Sequence, residues 1–365
     1  MARDASVTEF DQIVLGAGPA GSTVARLLAL NGARVLLVER YDFEAPRPGE
    51  HLSGVVRVEL DRLAIPLSPF QDIASRSAGI VSRWDGSRVE RTYQMSGAQD
   101  GICVVRNRFD EALYLLAIEA GVKGRCRQKI HGLGRQRGMW SGMLGNRDGM
   151  GLSIRAPLVI DATGRRAAFA RSQGAQRISA GDQFALTAWL DRDTTSPDGN
   201  NLLVEECASG WWSLSCNIAG GTIATHYTSL RTLKQSKLTP RQYWDAALAQ
   251  TVEVRRIVGL PVVGHFGVYP AFPAQTSSVV GTGWLAVGDA AATLDPVGGQ
   301  GLVWALHTAQ RALEALLADP GMEVLGPLYR DAVGDRLQRH LTGRRDVYGS
   351  VDKMHANIAE RIRGG

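Results

Sequence analysis

The strongest constraint on the fold comes from three glycines spaced as Gly16-x-Gly18-x-x-Gly21. A short apolar strand pattern over residues 12–15 runs into them, and an apolar helix pattern follows at once. A second apolar strand then ends in an acid, Glu39, which stands 18 residues after the last glycine. A strand, a glycine turn, a helix and a strand that ends in an acid together form a dinucleotide-binding unit.

Each part of this unit has a physical task. Gly16 permits the tight turn, Gly18 lets the backbone approach a pyrophosphate, and Gly21 lets the helix pack on the strand. The helix N-terminus supplies amide groups and a positive dipole for the phosphates. The carboxylate of Glu39 is placed to accept hydrogen bonds from ribose hydroxyls. The sequence therefore predicts a bound nucleotide.

Two further strand patterns run into glycine turns downstream. The first ends in Asp161-Ala162-Thr163-Gly164, and the second ends in Gly288-Asp289. A glycine-rich turn at residues 295–301 follows and opens a helix pattern, so its amides and dipole suit an anionic ring edge. Asp289, at a strand end, is placed to bind a sugar-like hydroxyl. Open α/β folds place ligands at the carboxyl edge of the sheet, and we expect the three turns to converge there.

Length and composition define the general class. At about 150 residues per domain, the 365 residues predict two domains or one large doubly wound domain. The net charge of +5 is scattered, which favours neither nucleic acid nor membrane as a partner. The four cysteines form no CxxC pair. No apolar run reaches the roughly 18 residues of a membrane span. We expect a cytoplasmic protein with reduced thiols.

The pattern of apolar and polar residues changes between the strand–turn pieces. This change predicts two domains and a C-terminal tail. The nucleotide-binding pieces are rich in buried parallel-strand and helix patterns, whereas the segments between them alternate apolar and polar positions, as antiparallel strands do. The predicted boundaries are a discontinuous cofactor domain at 1–79, 102–181 and 275–335, a substrate domain at 80–101 and 182–274, and a C-terminal helical segment at 336–365.

Together the three strand–turn pieces resemble the FAD-dependent para-hydroxybenzoate hydroxylase superfamily. The resemblance implies an α/β fold: a three-layer ββα domain of the glutathione-reductase-like type that binds FAD, with an inserted antiparallel-sheet substrate domain. It also implies cofactor contacts from particular residues. These are Gly16, Gly18 and Gly21 at the pyrophosphate, Glu39 at the adenosine ribose, Arg106 at the nucleotide, Asp289 at the ribityl or pyrophosphate end, and Pro296, Gly299, Gln300 and Gly301 beside the flavin ring.

Finer features resemble the flavin halogenase-like branch of that superfamily. They are the stretches 48–53 (PGEHLS), 210–213 (GWWS) and 295–301 (DPVGGQG). This branch includes flavoproteins that mature tryptophylquinone cofactors in amine dehydrogenases and amino-acid oxidases by modifying tryptophan residues of partner proteins. Halogenases of the branch use an early lysine and a Trp-x-Trp-x-Ile-Pro motif. This chain has no lysine before Lys123 and has adjacent tryptophans instead, so we expect no halogenation.

The resemblance implies a monooxygenase in which reduced FAD and O₂ form a C4a-hydroperoxide that oxygenates an electron-rich aromatic substrate. That substrate is either a tryptophan residue of a partner protein or a small aromatic natural product. The chain has no second glycine motif, so electrons would come from transiently bound NAD(P)H or from a separate reductase. Two alternatives stay open: a flavin reductase of isoprenoid double bonds, similar to geranylgeranyl reductases, and a non-catalytic flavoprotein accessory factor.

Six residues are candidates for the substrate side. Glu50 and His51 follow a proline-rich loop and could orient substrate or relay a proton. Glu206 precedes two tryptophans and could act as a base. Successive strand residues point to opposite faces, so only one of Trp211 and Trp212 can line a pocket. His226 lies in another strand pattern. The alternatives are a loop histidine bound to backbone, solvated edge charges, and aromatic side chains packed in the core. The candidates are Glu50, His51 and Glu206 for catalysis, and Trp211, Trp212 and His226 for substrate binding.

Overall fold

The computed structural model describes residues 7–145, 151–190, 201–218, 221–259, 264–320 and 325–348. The chain packs into two compact units. The first unit comprises Met1–Ala45, Asp110–Ser179 and Pro273–Gly365, and the second comprises Pro46–Phe109 and Ala180–Phe272. Residues 46–79 and 102–109 thus pack with the second unit, although the sequence grouped them with the cofactor domain. The predicted tail beyond residue 348 lies outside the described residues.

The helices begin and end as follows: α1 Pro19–Leu30, α2 Gly54–Arg62, α3 Arg106–Glu119, α4 Ala168–Ser172, α5 Leu230–Gln235, α6 Pro240–Leu248, α7 Glu253–Val258, α8 Gly301–Ala318 and α9 Leu325–Tyr348. Short 3₁₀ turns occupy Ser68–Ile73, Gln94–Ser96, Gly164–Arg166, Gly288–Ala290 and Pro296–Gly298.

The first strands in chain order are β1 Thr8–Glu9, β2 Gln12–Leu15, β3 Val35–Val38, β4 His51–Leu52, β5 Ala74–Ser77, β6 Gly79–Trp84, β7 Ser87–Thr92, β8 Gly101–Val104, β9 Lys123–Arg125, β10 Lys129–Gln136, β11 Met139–Gly145 and β12 Gly151–Ala156. The later strands are β13 Leu158–Asp161, β14 Arg177–Ser179, β15 Gln183–Leu190, β16 Leu202–Cys207, β17 Gly210–Ile218, β18 Gly221–Ser229, β19 Gly264–Pro270, β20 Ala274–Thr276, β21 Val280–Gly281, β22 Trp284–Ala286 and β23 Ala292–Thr293.

A six-stranded sheet forms the centre of the first unit, in the order β21-β22-β13-β2-β3-β9. From β22 to β9 the strands run parallel, and residues opposite each other include Val14 with Ile160 and Leu37. Strands β22, β13, β2 and β3 are almost entirely buried, as expected for a parallel sheet covered on both faces, whereas the edge strand β9 is not. The three strand–turn pieces therefore leave the sheet at one carboxyl edge. The predicted convergence of the glycine turns is confirmed.

Two smaller sheets complete the first unit. One has the order β1-β12-β11-β10, in which β11 pairs antiparallel with both β10 and β12. The other has the order β14-β20-β23. Helices α1 and α8 pack against each other in this unit. Proline at the first position of α1, Pro19, suits a helix start because its missing N–H has no helical acceptor there.

The second unit contains a seven-stranded, largely antiparallel sheet in the order β19-β15-β18-β17-β16-β6-β7. One face packs on α6 and α7 through an apolar cluster that includes Leu186, Leu214, Trp244 and Val254. A small sheet, β4-β8-β5, also belongs to this unit. The combination of a parallel sheet unit and an antiparallel sheet unit confirms the predicted α/β class and the predicted antiparallel-sheet domain. Among the residues that the structure describes, no helix is both long enough and apolar enough to cross a membrane.

Candidate functional site

The glycine turn after β2 has the geometry that its spacing predicts. Gly16 adopts φ +102°, and a Cβ there would overlap the carbonyl oxygen of Ala162. A Cβ at Gly21 would overlap the carbonyl oxygen of Gly16. By contrast, a Cβ at Gly18 would meet no atom within 4 Å. Gly16 and Gly21 are therefore required by the fold itself, whereas Gly18 leaves an open space beside the start of α1.

The carboxylate of Glu39 completes this turn. Its Oε2 accepts a hydrogen bond from the backbone N–H of Ala17 at 2.9 Å, and its Oε1 accepts one from the N–H of Tyr41 at 2.9 Å. The side chain is buried, with 8% of its surface exposed. Each carboxylate oxygen can accept more than one hydrogen bond, so both retain capacity for ribose hydroxyls.

The Gly288–Asp289 turn is held by α8, the helix that follows it. The N–H of Gly288 donates to Thr308 Oγ1 at 2.8 Å, and Trp304 Nε1 donates to the carbonyl oxygens of Gly288 at 3.1 Å and Ala292 at 2.7 Å. The sequence pattern does not mark Trp304 or Thr308 as partners of this turn. A single tryptophan or threonine in a helix pattern gives no local signal of a partner that lies 12 to 20 residues away.

Asp289 lies in the electrostatic field of two arginines, Arg165 and Arg177. Burial lowers the pKa of Arg177 to about 10, and the charge of Asp289 opposes that change. Burial also lowers the pKa of Arg165, which Asp289 and Asp295 oppose. Arg177 is fixed by Thr276 and Thr293, whose hydroxyls accept its guanidinium N–H groups at 2.8 and 3.2 Å. The strand-end carboxylate is thus embedded among positive charges.

The loop of residues 295–301 presents backbone amides. Asp295 Oδ1 accepts from the N–H of Val297 at 3.0 Å, Gly299 adopts the left-handed conformation at φ +58°, and α8 then begins at Gly301. The first N–H groups of a helix lack acceptors within the helix, so this end can bind an electron-rich ring edge.

These features fit FAD. The open space at Gly18 suits a pyrophosphate, the buried Glu39 suits a ribose, and the amide-rich loop suits an electron-rich ring edge. In the first unit, the residues that would hold the cofactor are therefore the predicted set, with Thr308 and Trp304 behind them: Gly16, Gly18, Gly21, Glu39, Asp289, Pro296, Gly299, Gln300 and Gly301.

Arg106 belongs to the second unit. Its guanidinium lies 3.3 Å from the carbonyl oxygens of both Pro48 and Gly49, so it braces the loop that leads into β4. Gly49 has φ +97°, and a Cβ there would collide with the same guanidinium. The nucleotide contact predicted for Arg106 stays a prediction.

Glu50 is one of the most enclosed acids of the second unit, with 5% of its surface exposed. Its Oε2 accepts from the N–H of Gly49 at 3.0 Å, and its Oε1 accepts from Ser215 Oγ in β17 at 3.2 Å. Burial raises the pKa of this carboxyl, and the hydrogen bonds from its own backbone, Gly49 and Ser215 and the charge of Arg106 oppose the change. Glu50 can therefore take up and release a proton above the usual range of a carboxylic acid.

His51 lies beside two hydroxyl groups. Its Nε2 is 3.1 Å from Ser77 Oγ and 3.3 Å from the Tyr93 hydroxyl oxygen. Burial lowers the pKa of His51 to about 4, so the imidazole is neutral near pH 7. Burial also raises the pKa of Tyr93, which keeps its phenol protonated. Of the two ring nitrogens of His51, Nε2 makes both of these hydrogen-bond contacts.

The seven-stranded sheet has one face that combines hydroxyl groups with aromatic rings. Trp211 stacks on Tyr227 with ring centroids 3.8 Å apart, and Thr225 Oγ1 donates to Thr187 Oγ1 at 3.0 Å. Strand alternation and register place further side chains on this face. We call it the hydroxyl–aromatic face after its hydroxyl-bearing and aromatic residues, which are Thr187, Trp189, Trp211, Ser213, Ser215, Thr225, Tyr227 and Tyr269; Ala185, Ile223 and His265 share this face.

Trp212 and His226 lie on the opposite face, in the core. Their rings stack at 4.7 Å, and Trp212 packs edge-on against Trp244 of α6 at 5.1 Å. Both side chains are fully buried, with 0% exposed. The structure therefore corrects their assignment as substrate-binding residues. An alternating strand carries aromatic residues on both faces here, and the face that meets α6 becomes core.

Glu206 does not point into an enclosed site. It is exposed, and its Oε2 accepts from the N–H of Asp85 at 2.9 Å in the turn between β6 and β7. Its neighbour Glu205 is buried and accepts three backbone N–H groups, of Val252, Glu253 and Val254, at the start of α7. Both acids thus accept hydrogen bonds from backbone N–H groups of the fold, and Glu205 also lies 3.9 Å from Nε of Arg83. This corrects the expectation that Glu206 faces substrate.

Comparison with known proteins agrees with this geometry. Residues 9–262 match the family described as the FAD binding domain, and the chain belongs to that family. It is 28% identical over 325 residues to LodB of Marinomonas mediterranea, named for FAD-dependent oxidoreductase activity, covering 87% of each chain. It is 27% identical over 318 residues to the digeranylgeranylglycerophospholipid reductase of Methanocella arvoryzae, covering 84% of this chain and 76% of the reductase.

Solved structures share the fold. The peptidyl tryptophan dihydroxylase QhpG, essential for tryptophylquinone cofactor biogenesis, superposes with a TM-score of 0.74 at 24% identity, covering 94% of this chain and 75% of QhpG. Flavin-dependent halogenases are also among the similar structures. The family match and the curated relatives establish the protein as an FAD-dependent oxidoreductase.

Proposed function

We propose that this oxidoreductase is a monooxygenase that oxygenates an electron-rich aromatic ring, and that its substrate is a tryptophan residue of a partner protein. The observation that carries the proposal is the hydroxyl–aromatic face. Aromatic rings recognise another ring by offset stacking and edge contacts, and hydroxyl groups can hydrogen-bond an indole N–H. An isoprenoid chain offers neither a ring nor a donor to such a surface.

The arrangement of that face supports a planar substrate. Trp211 and Tyr227 form one stacked pair, and Trp189 contacts Tyr269 edge-on with centroids 6.0 Å apart. In the sheet register, Tyr269, Tyr227 and Trp211 lie in one row, and Thr187 and Thr225 lie opposite each other in the next row, where their hydroxyls bond each other. Rings next to hydroxyl groups can align an indole by shape and by hydrogen bonds together.

Bound FAD would supply two-electron redox chemistry and activate O₂, with electrons from NAD(P)H or from a separate reductase. The protein must then manage protons, because an aromatic carbon that gains oxygen loses its ring proton. We assign that proton to Nδ1 of the neutral His51, whose Nε2 already faces Ser77 and Tyr93. Glu50, whose pKa burial raises, is a second group next to Ser215 that can exchange a proton.

The protein substrate is supported by likeness to QhpG, which acts on peptidyl tryptophan. The halogenase-like structures offer a different chemistry. Against halogenation stands the lack of any lysine before Lys123. This chain also has the adjacent tryptophans Trp211 and Trp212 in place of the Trp-x-Trp spacing of the halogenase motif, and Trp212 lies in the core.

A second candidate is the reduction of isoprenoid double bonds, which the names of several relatives favour, including the reductase of Methanocella arvoryzae. This chemistry needs an extended apolar surface for the chain of the substrate. The hydroxyl groups of Ser213, Ser215 and Thr225 on one face of the large sheet are unsuited to that purpose.

Labelling with ¹⁸O₂ separates the two candidates. The FAD-loaded protein, a flavin reductase and NADH would be incubated with a single-tryptophan peptide, a folded protein bearing a surface tryptophan, and geranylgeranyl diphosphate. We expect ¹⁸O in the indole of the peptide or protein probe and an unchanged isoprenoid. Hydrogen uptake by the isoprenoid without ¹⁸O in any probe would contradict the proposal and support the reductase.

A further inference from the structure

Helix α9 contacts both ends of the amide-rich loop at residues 295–301. At the first end, the backbone N–H of Asp295 donates to Nε2 of His340 at 2.7 Å. At the other end, Gln300 Oε1 accepts from the guanidinium of Arg336 at 3.0 Å. Arg336 and His340 are four residues apart, so they lie on the same side of α9, one turn apart.

The imidazole of His340 also sets the space available to the loop. It is buried, with 9% of its surface exposed, and a Cβ at Gly298 would lie 3.3 Å from its Cε1. The loop backbone therefore rests directly on the ring. Because Nε2 accepts an N–H, it carries a lone pair, so the ring is neutral with its proton on Nδ1.

The rest of α9 is anchored in the same unit. The Tyr329 hydroxyl donates to the carbonyl oxygen of Ala286 at 2.8 Å, just before the Gly288–Asp289 turn. Val333 and Leu337 are buried between Tyr329 and His340. One face of the helix thus runs from the strand end that carries Asp289 to the loop that opens α8. The sequence had separated residues 336–365 from the cofactor domain.

We propose that His340 and Arg336 are positioning residues for the cofactor: they hold the 295–301 loop in the conformation that receives the flavin end of FAD. The proposal rests on the FAD assignment and on the resemblance that places this loop beside the flavin ring. It gives the C-terminal helix a role in cofactor affinity. His340 supplies an acceptor for the buried N–H of Asp295, and Arg336 fixes Gln300, the residue before α8.

The test compares FAD with ADP, which carries the pyrophosphate and one ribose but no flavin. The full-length chain, stripped of flavin, would be titrated with each ligand. We expect His340→Leu to weaken FAD binding roughly tenfold, the loss of one buried hydrogen bond, and to leave ADP binding within about twofold. His340→Gln supplies an amide oxygen near the position of Nε2 and should restore FAD affinity. His131→Leu, the same change at an exposed position of β10, is the matched control.

Each outcome is decisive. The proposal is overturned if His340→Leu binds FAD as the wild type does, if His340→Gln binds FAD as weakly as His340→Leu, or if FAD and ADP weaken together. If His340→Leu does not fold, Arg336→Met replaces it. FAD weakened about threefold with ADP unchanged then supports the proposal, and unchanged FAD binding overturns it. A wild-type chain that binds neither ligand would overturn the cofactor assignment itself, whereas a result on tryptophan oxidation bears only on the proposed function.

Discussion

The two units make their candidate sites in different ways. In the first unit, the backbone does most of the work: glycines open space, and loop amides and helix starts present N–H groups. In the second unit, side chains on the seven-stranded sheet form the candidate site, and the role of each side chain depends on which face of the sheet it occupies. At Gly16 and Gly21 the backbone site leaves no room for a Cβ atom, whereas the role of a side chain in the large sheet depends on the face that it occupies.

The largest expected effect tests the backbone site. A side chain at position 21 would overlap the carbonyl oxygen of Gly16, so Gly21→Val should lower the free energy of unfolding by more than about 4 kcal/mol or prevent folding. Gly18→Ala is the matched control, because its Cβ meets no protein atom. It should fold normally and bind FAD weakly. Urea unfolding would measure the stability of the two variants, and FAD titration would measure their affinity for FAD. Equal stability of the two variants would contradict this account of the turn.

The next effect separates the two faces of the large sheet. Trp212→Ala removes a fully buried ring and should lower the free energy of unfolding by about 3–5 kcal/mol, with turnover per folded molecule retained. Trp211→Ala on the hydroxyl–aromatic face should instead lose turnover beyond its loss of stability. If turnover per folded molecule fell equally in both, the assignment of one face to substrate would be wrong.

A third effect is a pH dependence in the core of the second unit. Burial lowers the pKa of His226 from 6.5 to about 4, so the folded state resists its protonation while the unfolded chain accepts it. The neutral His226 therefore contributes to the free energy of unfolding above pH 6.5, by roughly 3 kcal/mol for a pKa shift of this size. This contribution is lost as the pH falls towards 4. Unfolding followed across that range should show a shallower decline in His226→Phe than in the wild type. Parallel curves would count against a neutral buried histidine.

The smallest structural change concerns two acids of the second unit. Glu50→Gln removes a titrating group in an enclosed position and should slow turnover by about a hundredfold with FAD still bound. Glu206→Gln touches only the β6–β7 turn and should change turnover little and stability by less than about 1 kcal/mol. Steady-state kinetics would compare the turnover of the two variants, with thermal unfolding as a check on their stability. Indistinguishable rates would remove Glu50 from the site.

The backbone site was the part of the molecule that sequence reasoning could reach. The spacing of Gly16, Gly18 and Gly21 and the strand that ends at Glu39 specify local geometry, since turns and strand ends depend on neighbours in the chain. The side chains that hold these turns in place could not be predicted from the sequence. Thr308 and His340 contact backbone N–H groups 20 and 45 residues away, and nothing in the helix patterns marks those contacts.

The side-chain site was harder for a different reason. Alternation correctly separates Trp211 from Trp212, but both faces of the strand pair carry aromatic residues, so the pattern does not distinguish core from site. Glu205 and Glu206 pose the same problem. Glu205 is buried because α7 begins against it, some 47 residues further along the chain, and Glu206 is exposed because it faces a turn. Packing between distant elements decides these roles.

The central claim is the proposal that this FAD-dependent oxidoreductase is a monooxygenase of aromatic rings. The most direct measurement is to reduce the FAD-loaded protein without oxygen, mix it rapidly with O₂, and record the flavin absorbance with and without halide. The account predicts a two-phase trace in which a transient species precedes oxidised flavin, unchanged by halide and shortened by a single-tryptophan peptide or protein. A single direct return to oxidised flavin, or a halide-dependent trace, would contradict it.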